Sequence, residues 1–512
     1  MTPRPETYTI APNSGNALVV SRLITGLWQL AGGHGQVDVA ACTQSMNEYV
    51  DAGLTTFDMA DHYGPAEQVI GAYHTSGKSG ITALTKWCPK PGVVGHDACA
   101  AAVDRALLRM GVPSVDLLQY HAWRYDDPSY LTNLYHLAEL QRAGKIKQLG
   151  VTNMDLLHLR MLHSSGYVLA TNQVSMSVLD RRAETGGLAE WCAANDVALL
   201  AYGTLLGGFI SEKWLGVAEP KDEQLSNWSL KKYKRFIDNS VATRHVLDIP
   251  GVASVIVGSR LAPSESDGSA SISASTTTKT QTTNTYIDAN LAAFTFTLDE
   301  DDRRAIKDAQ GGLSDLPGDC GDEYRYPPYL TASGDLGDHL AEADTAAQRD
   351  MAAQVEQTIR EGGRVEKSSG SPWEPVAGYC RAVRIGDHFV VAGTTTRAHP
   401  SGVGVLGGTS AADQTTNVFD IIANAVHSVG ASMGDITRTR VFLVNVDQWR
   451  GVAHVHGATM ARHGIRPANT MVGGSALIGD GILVEVEAEG VVGSSREIHF
   501  GAIKRVVELE RN

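Results

Sequence analysis

The chain has 512 residues, 43% hydrophobic and 20% charged, which predicts two to four domains of ordinary globular type with room for two buried cores. A net charge of −14 with no basic stripe argues against a nucleic-acid binder and leaves small molecules as the expected partners. Six cysteines without CxxC spacing, no apolar signal-type segment at the start and no run near ~20 apolar residues point to a soluble, cytoplasmic protein with no membrane span.

Residues 7–22 read as two short strands around the turn triplet Asn13-Ser14-Gly15, placed to cap the closed end of a barrel. Strand and helix signals then alternate. The first apolar run covers 23–28, and a helix is predicted over 38–52, capped by Asp38 and stopped at Gly53. A second helix runs 96–110 before Gly111. A third is announced by Asp127 as cap and Pro128 at the first helical position, and leads to Ala143-Gly144. Strand candidates end near Gln29, Asp58, Lys86, His121, Asn153, Gln173, Tyr202 and Gly258. Repeated β-then-α order calls for a parallel sheet.

The stretch FDMADHYG, residues 57–64, organises the chemistry. Asp58 ends a strand and Tyr63 follows in the loop, while ITALTK ends in Lys86 and VDLLQYH in His121. Four such groups at three successive strand ends form a proton-transfer set, because an ammonium beside a phenol stabilises its phenolate. An unpaired buried Lys86 is costly, and Asp58 supplies the counter-charge. The glycines of GGHG (32–35) and GTLLGG (203–208) read as turns, since neither stretch has the Lys-Ser/Thr of a phosphate loop. No metal site is expected. His62 and His74 stand alone, His454 and His456 splay on a helix, and His96 with Cys99 is an incomplete pair.

With GKIKQLGVTN (144–153), TNQVS (171–175), LLAYGTLLGG (199–208) and VIVGSR (255–260) following in order, residues 20–340 resemble an aldo/keto reductase. The resemblance implies a (β/α)8 TIM barrel using NADPH and a small-molecule carbonyl substrate. It makes Asp58, Tyr63, Lys86 and His121 the catalytic tetrad. It also puts Asn153 and Gln173 on the nicotinamide carboxamide, Tyr202 on its ring, Gly258, Ser259 and Arg260 on the adenosine-side phosphates, and Asn290 on adenine. Two features depart from the family pattern. A helical stretch ahead of 240–250 is missing, so the seventh barrel helix is expected to be short. A polar tract over 264–285 separates Arg260 from Asn290 and puts cofactor affinity at issue. The Pro/Gly/aromatic segment 316–336 either borders the substrate pocket or packs outside the barrel.

Residues 341–370 read as a linker helix ending in a flexible hinge. Beyond it, from 371 to 512, the order becomes ββαβαββ, an α+β sheet with helices on one face. The predicted elements are a hairpin turning at Gly386-Asp387, a helix over 413–429, a strand over 439–446, a helix over 447–463, and strands over 469–474 and 481–492. Through GYCRAVRIGDHFVVAG, RPANTMV and LVEVEAEGV this part resembles the reactive intermediate deaminase (Rid, YjgF-like) family, which implies a homotrimer with ligand clefts between subunits. The family's carboxylate-binding arginine falls on Asn469, where an amide lacks the charged fork, while Glu487 matches the late acidic residue.

The resulting expectation is an NADPH-dependent oxidoreductase for aldehydes or ketones, with Tyr63 as acid/base and a Rid-like binding or oligomerisation domain. Two alternatives stand beside it: a disabled barrel serving a binding module, and imine or enamine chemistry in the second half.

Overall fold

A computed structural model describes residues 4–31, 36–209, 243–259, 261, 287–288, 290–311, 315–316, 318–325 and 346–495. The chain divides into two compact units, one built on residues 1–345 and the other on residues 346–397 and 404–512.

In the first unit, β1 (Thr7–Ile10) and β2 (Leu18–Ser21) form an antiparallel pair. Ile10, Leu18 and Val20 pack with Ile24, Leu84, Leu117, Ala198 and Ala253 in one buried cluster, and Gln148 Nε2 donates to Ser14 Oγ at 2.6 Å in the intervening turn. This pair closes one end of a barrel of eight parallel strands: β3 (Leu23–Gly26), β4 (Thr56–Asp58), β5 (Thr82–Trp87), β6 (Val115–His121), β7 (Ile146–Thr152), β8 (Thr171–Ser175), β9 (Ala198–Tyr202) and β10 (Val252–Gly258). Each strand pairs with the next, and β10 returns to β3. Nearly continuous burial, as in LITG of β3 and TNQVS of β8, reflects strands covered on both faces.

The helices start and stop as their end residues dictate. In α1 (Val39–Asp51), Asp38 accepts from Ala40 N and Ala41 N, and Gly53 takes φ 89°. Helix α2 (Ala66–Thr75) is followed by α3 (His96–Met110), which ends on Gly111 in the left-handed conformation. Helix α4 (Ser129–Arg142) begins one residue later than expected, with Asp127 Oδ1 accepting from Ser129 N at 3.0 Å. Next come α5 (Leu156–Ser164), α6 (Arg182–Thr185) and α7 (Leu188–Ala194), then α8 (Thr243–Leu247), α9 (Glu300–Gly311) and α10 (Asp322–Arg325). The expected shortening before residue 250 and the 264–285 tract lie outside the described residues, as do 326–336.

The second unit opens with α11 (Ala346–Arg360). Residues beyond it do not hinge as expected: β11 (Arg364–Lys367) pairs antiparallel with β12 (Ala382–Ile385), and Ser368 and Ser369 both bond to Glu374 at the start of α12 (Trp373–Ala377). Polar side chains alternating along RVEK hide this edge strand from a hydrophobicity reading. The remaining elements follow the predicted order: β13 (His388–Thr395), α13 (Ala411–Ser428), β14 (Ile436–Leu443), α14 (Trp449–Arg462), β15 (Ala468–Val472) and β16 (Val484–Val491). They build a six-stranded sheet of order β11-β12-β13-β16-β14-β15.

Candidate functional site

The C-terminal strand ends of the barrel gather the polar residues singled out in the sequence. Lys86, 3% exposed on β5, donates from Nζ to Asp58 Oδ2 at 2.6 Å and to Met59 O at 2.8 Å. The other oxygen of Asp58 accepts from Gln173 Nε2 at 2.8 Å and Gln119 Nε2 at 3.3 Å, so the buried carboxylate is bonded on both oxygens. Such full bonding is what allows an ion pair to persist in a core.

Tyr63 lies on the loop from β4 to α2, its ring centroid 5.0 Å from Lys86 Nζ. The loop is tied to the barrel by Met59 N to Leu84 O at 2.8 Å and Asp61 N to Lys86 O at 3.0 Å. Gly64 turns it at φ 52°, where a Cβ would stand 2.4 Å from Leu30 O. The phenol is therefore brought to the amine by a constrained turn.

His121 ends β6. Its Nδ1 lies 3.9 Å from Cys88 Sγ, its Nε2 lies 3.5 Å from Asn153 Nδ2, and its ring packs on Trp123 at 3.8 Å. Asn153 has φ 56°, and its side-chain oxygen accepts from Tyr202 OH at 2.8 Å. Gln173 is bound to Asp58, as above. Gly258 abuts Gln29, whose Nε2 would be 1.9 Å from a Cβ placed there. Ser259 is already engaged: its N donates to Gly26 O at 2.7 Å, and its hydroxyl lies 2.7 Å from Tyr49 OH. Asn290 is half-buried in a helical turn, and Arg260 lies outside the described residues.

The sequence reading missed Gln119 and the anchoring of the segment 318–325. Tyr324 stacks edge-on to His121 at 5.6 Å and places its hydroxyl 3.2 Å from Tyr202 OH. Arg325 donates to Asn153 O at 2.8 Å and Ala122 O at 2.7 Å, with its guanidinium 4.1 Å from the Tyr125 ring. Arg182 forks onto Asp180 at 2.8 and 2.7 Å and reaches Glu323 at 2.7 Å, all three side chains buried. Of the two placements open for this tail, its described part takes the barrel mouth. The aromatic EYRY was the available signal, whereas a strand glutamine such as Gln119 gives none.

In the second unit, Asn469 Nδ2 donates to Thr439 Oγ1 at 2.9 Å, and Thr439 Oγ1 lies 2.8 Å from His456 Nε2 on α14. Glu487 pairs instead with Arg440 at 3.1 Å. Thr439 and Arg440 are consecutive in β14 and alternate across the sheet. Asn469 and Glu487 therefore occupy opposite faces within one chain and do not share a cleft there.

The closed parallel barrel with a polar cluster at its C-terminal mouth defines a (β/α)8 barrel of enzyme type. Comparison with known proteins gives the family. Residues 22–310 match the Aldo/keto reductase family, and residues 369–492 match Endoribonuclease L-PSP. An aldo-keto reductase from Mycobacterium sp. (strain KMS) is 28% identical over 280 residues, 50% of this chain and 95% of that protein. Another, from Mycobacterium sp. (strain JLS), is 30% identical over 211 residues, 39% of this chain and 72% of that protein. A solved YjgF/YER057c/UK114 family structure from Mycobacterium tuberculosis is 39% identical, covering 25% of this chain and all of that one, with a TM-score of 0.23. The chain belongs to the aldo/keto reductase family and carries a YjgF-type second unit.

Proposed function

We propose that the barrel reduces an aldehyde or ketone with NADPH, using Tyr63 as the proton donor. The observation that carries this reading is Lys86 set between the Asp58 carboxylate and the Tyr63 ring. The nicotinamide cofactor, when bound, supplies the hydride. Tyr63 gives its proton to the carbonyl oxygen, and the Lys86 ammonium beside its ring favours the phenolate left behind. His121 orients the carbonyl by hydrogen bonding.

The residues present fit the nicotinamide end of the cofactor. Among the described residues, the buried polar atoms Thr25 Oγ1, Gln29 Oε1, Thr152 Oγ1 and Thr204 Oγ1, in or just beyond strands β3, β7 and β9, find no hydrogen-bond partner. Buried hydroxyl and amide groups are ordinarily satisfied, so a polar ligand at this mouth has groups to meet. Asn153 and Gln173 would hold the carboxamide and Tyr202 the ring face, with Gly258, Ser259, Arg260 and Asn290 toward the adenosine end.

The test is loss of dihydronicotinamide absorbance in the near ultraviolet against a panel of aldehydes, ketones and sugars, with Tyr63→Phe beside the wild type. Tyr63→Phe is expected to lose about 10²–10⁴-fold in kcat and keep its cofactor affinity. Full activity in that variant removes the role.

A second reading is favoured by Ser259, whose N–H and hydroxyl are both engaged within the protein. In it the barrel no longer takes cofactor, and the second unit acts as a binding module. Quenching of tryptophan fluorescence by NADPH separates the two, since a disabled barrel shows none.

For the second unit we infer ligand binding and trimeric assembly rather than deamination, because Asn469 supplies no charged fork for a carboxylate. Feeding imines from an amino-acid oxidase and measuring ammonia tests this; acceleration by the full chain overturns it. A cytoplasmic setting is supported by all six cysteines being free, and no helix among the described residues is long and apolar enough to cross a membrane.

A further inference from the structure

Asp61, His62 and Cys88 meet beside the barrel mouth, drawn from two neighbouring strand-to-helix loops. Each offers one ligand atom, and the three atoms lie within 4.8 Å of one another. They stand in fixed backbone. Asp61 N donates to Lys86 O at 3.0 Å, Cys88 N donates to Asp61 Oδ2 at 3.5 Å, and Arg109 Nη1 donates to Asp61 O at 2.9 Å. His62 Nδ1 lies 3.0 Å from Asp61 Oδ1, and Cys88 Sγ lies 3.9 Å from His121 Nδ1. Sequence spacing hides this set, because the cysteine lies far along the chain from the Asp-His pair.

We propose that Asp61, His62 and Cys88 form a binding site for one zinc-class divalent cation, with water in the fourth position. The donor set selects the metal: one thiolate, one imidazole and one carboxylate suit Zn²⁺ or Co²⁺, whereas Mg²⁺ and Ca²⁺ take all-oxygen ligands. Bonds of about 2.0–2.3 Å set ligand atoms about 3.3–3.8 Å apart at the corners of a tetrahedron, so the set closes by about 1 Å on binding. Side-chain rotation covers that distance, since Asp61 and His62 are half-buried with their backbone in place. Charge also closes. A carboxylate and a thiolate neutralise the dication, and the imidazole binds uncharged. Binding breaks the Cys88 S–H bond, forms a sulfur–metal bond and releases the proton to solvent. The site makes no use of the reductase reading.

The experiment is titration of the metal-free full chain with Co²⁺ in a visible and near-ultraviolet spectrophotometer. One equivalent is expected to produce tetrahedral cobalt bands and a thiolate-to-cobalt charge-transfer band, both displaced by Zn²⁺. Cys88→Ser should lose the charge-transfer band, and His62→Gln should bind Co²⁺ at least ~10-fold more weakly. Absence of the bands in the wild type, or their survival in Cys88→Ser, overturns the site. If the buried serine variant fails to fold, His62→Gln decides alone, and unchanged affinity there overturns the site as well.

Discussion

Lys86 Nζ sits 2.6 Å from Asp58 Oδ2 with each residue 3% exposed, an ion pair closed off from solvent inside the barrel. Two glutamine side chains complete the carboxylate, so removing the amine alone strands a buried charge. Lys86→Met is expected to cost about 3–5 kcal/mol of stability. It should also lower turnover by about 10²-fold or more. Denaturant unfolding and cofactor oxidation measure the two losses on one sample, and a stable, active Lys86→Met removes the pair from both roles.

Arg182 does for the tail what Lys86 does for the site. Its guanidinium joins Asp180, just beyond β8, to Glu323 on α10. Arg182→Met is expected to cost about 3–5 kcal/mol and to release the segment 318–325 from the mouth. Limited trypsin digestion checks this: cleavage after Arg325, whose guanidinium is bonded to two backbone carbonyls in the wild type, should become an early event.

Helix α2 lies against α3 so closely that a Cβ on Gly71 would stand 2.1 Å from Arg109 O. Backbone on both sides leaves no flexible group to yield. Gly71→Ala is expected to cost about 1–3 kcal/mol as the helices separate. Because Arg109 also holds Asp61 O and Glu67, the shift should reach the Tyr63 loop and lower turnover. An unchanged denaturation midpoint in Gly71→Ala contradicts this packing.

Much of this architecture was legible in the chain because its signals are local. Asp38 before an apolar-periodic run, Gly111 after one, and buried strands ending in Asp58, Lys86 and His121 each report on a few residues of sequence. The features that escaped are long-range or chemically quiet. Gln119 is an amide inside a strand, Arg182 finds Glu323 far along the chain, and β11 pairs through backbone groups that any sequence carries. Asn469 and Glu487 face apart within one chain for a subtler reason. Both lie on strands flanking β14, but their partners Thr439 and Arg440 differ by one residue, and one residue reverses the face.

His463 carries the clearest pH dependence. Burial lowers its pKa to about 4, and the charges of Arg462 and His427 act in the same direction. The folded state therefore holds the imidazole neutral where the unfolded chain, near 6.5, takes up a proton. The contribution of His463 to stability falls as pH drops from about 6.5 to about 4 and is constant above that window. His463→Gln should flatten the decline by on the order of 1–2 kcal/mol, allowing for partial exposure. Urea unfolding at pH 7 and pH 4.5, read by hydrogen exchange on second-unit amides, measures the difference; an equal decline in both proteins rules out His463 as the source.

The face of the second sheet that carries Arg440 and Glu487 is ion-paired rather than apolar. Arg440 reaches Glu487 at 3.1 Å and Glu489 at 3.8 Å, while Arg438 lies 3.9 Å from Glu489. Within a monomer such half-exposed pairs contribute about 0–1 kcal/mol each. If trimers form through this face the same charges become desolvated, and reversing one sets like charges together where water cannot screen them. Glu487→Lys places an ammonium beside the Arg440 guanidinium. It should leave the unfolding free energy within about 1 kcal/mol of wild type at dilutions where the chain is monomeric. At higher concentration the wild type should sediment as a trimer and Glu487→Lys as a monomer. A wild type that stays monomeric at all concentrations, or a Glu487→Lys variant that still assembles, removes this face from the interface.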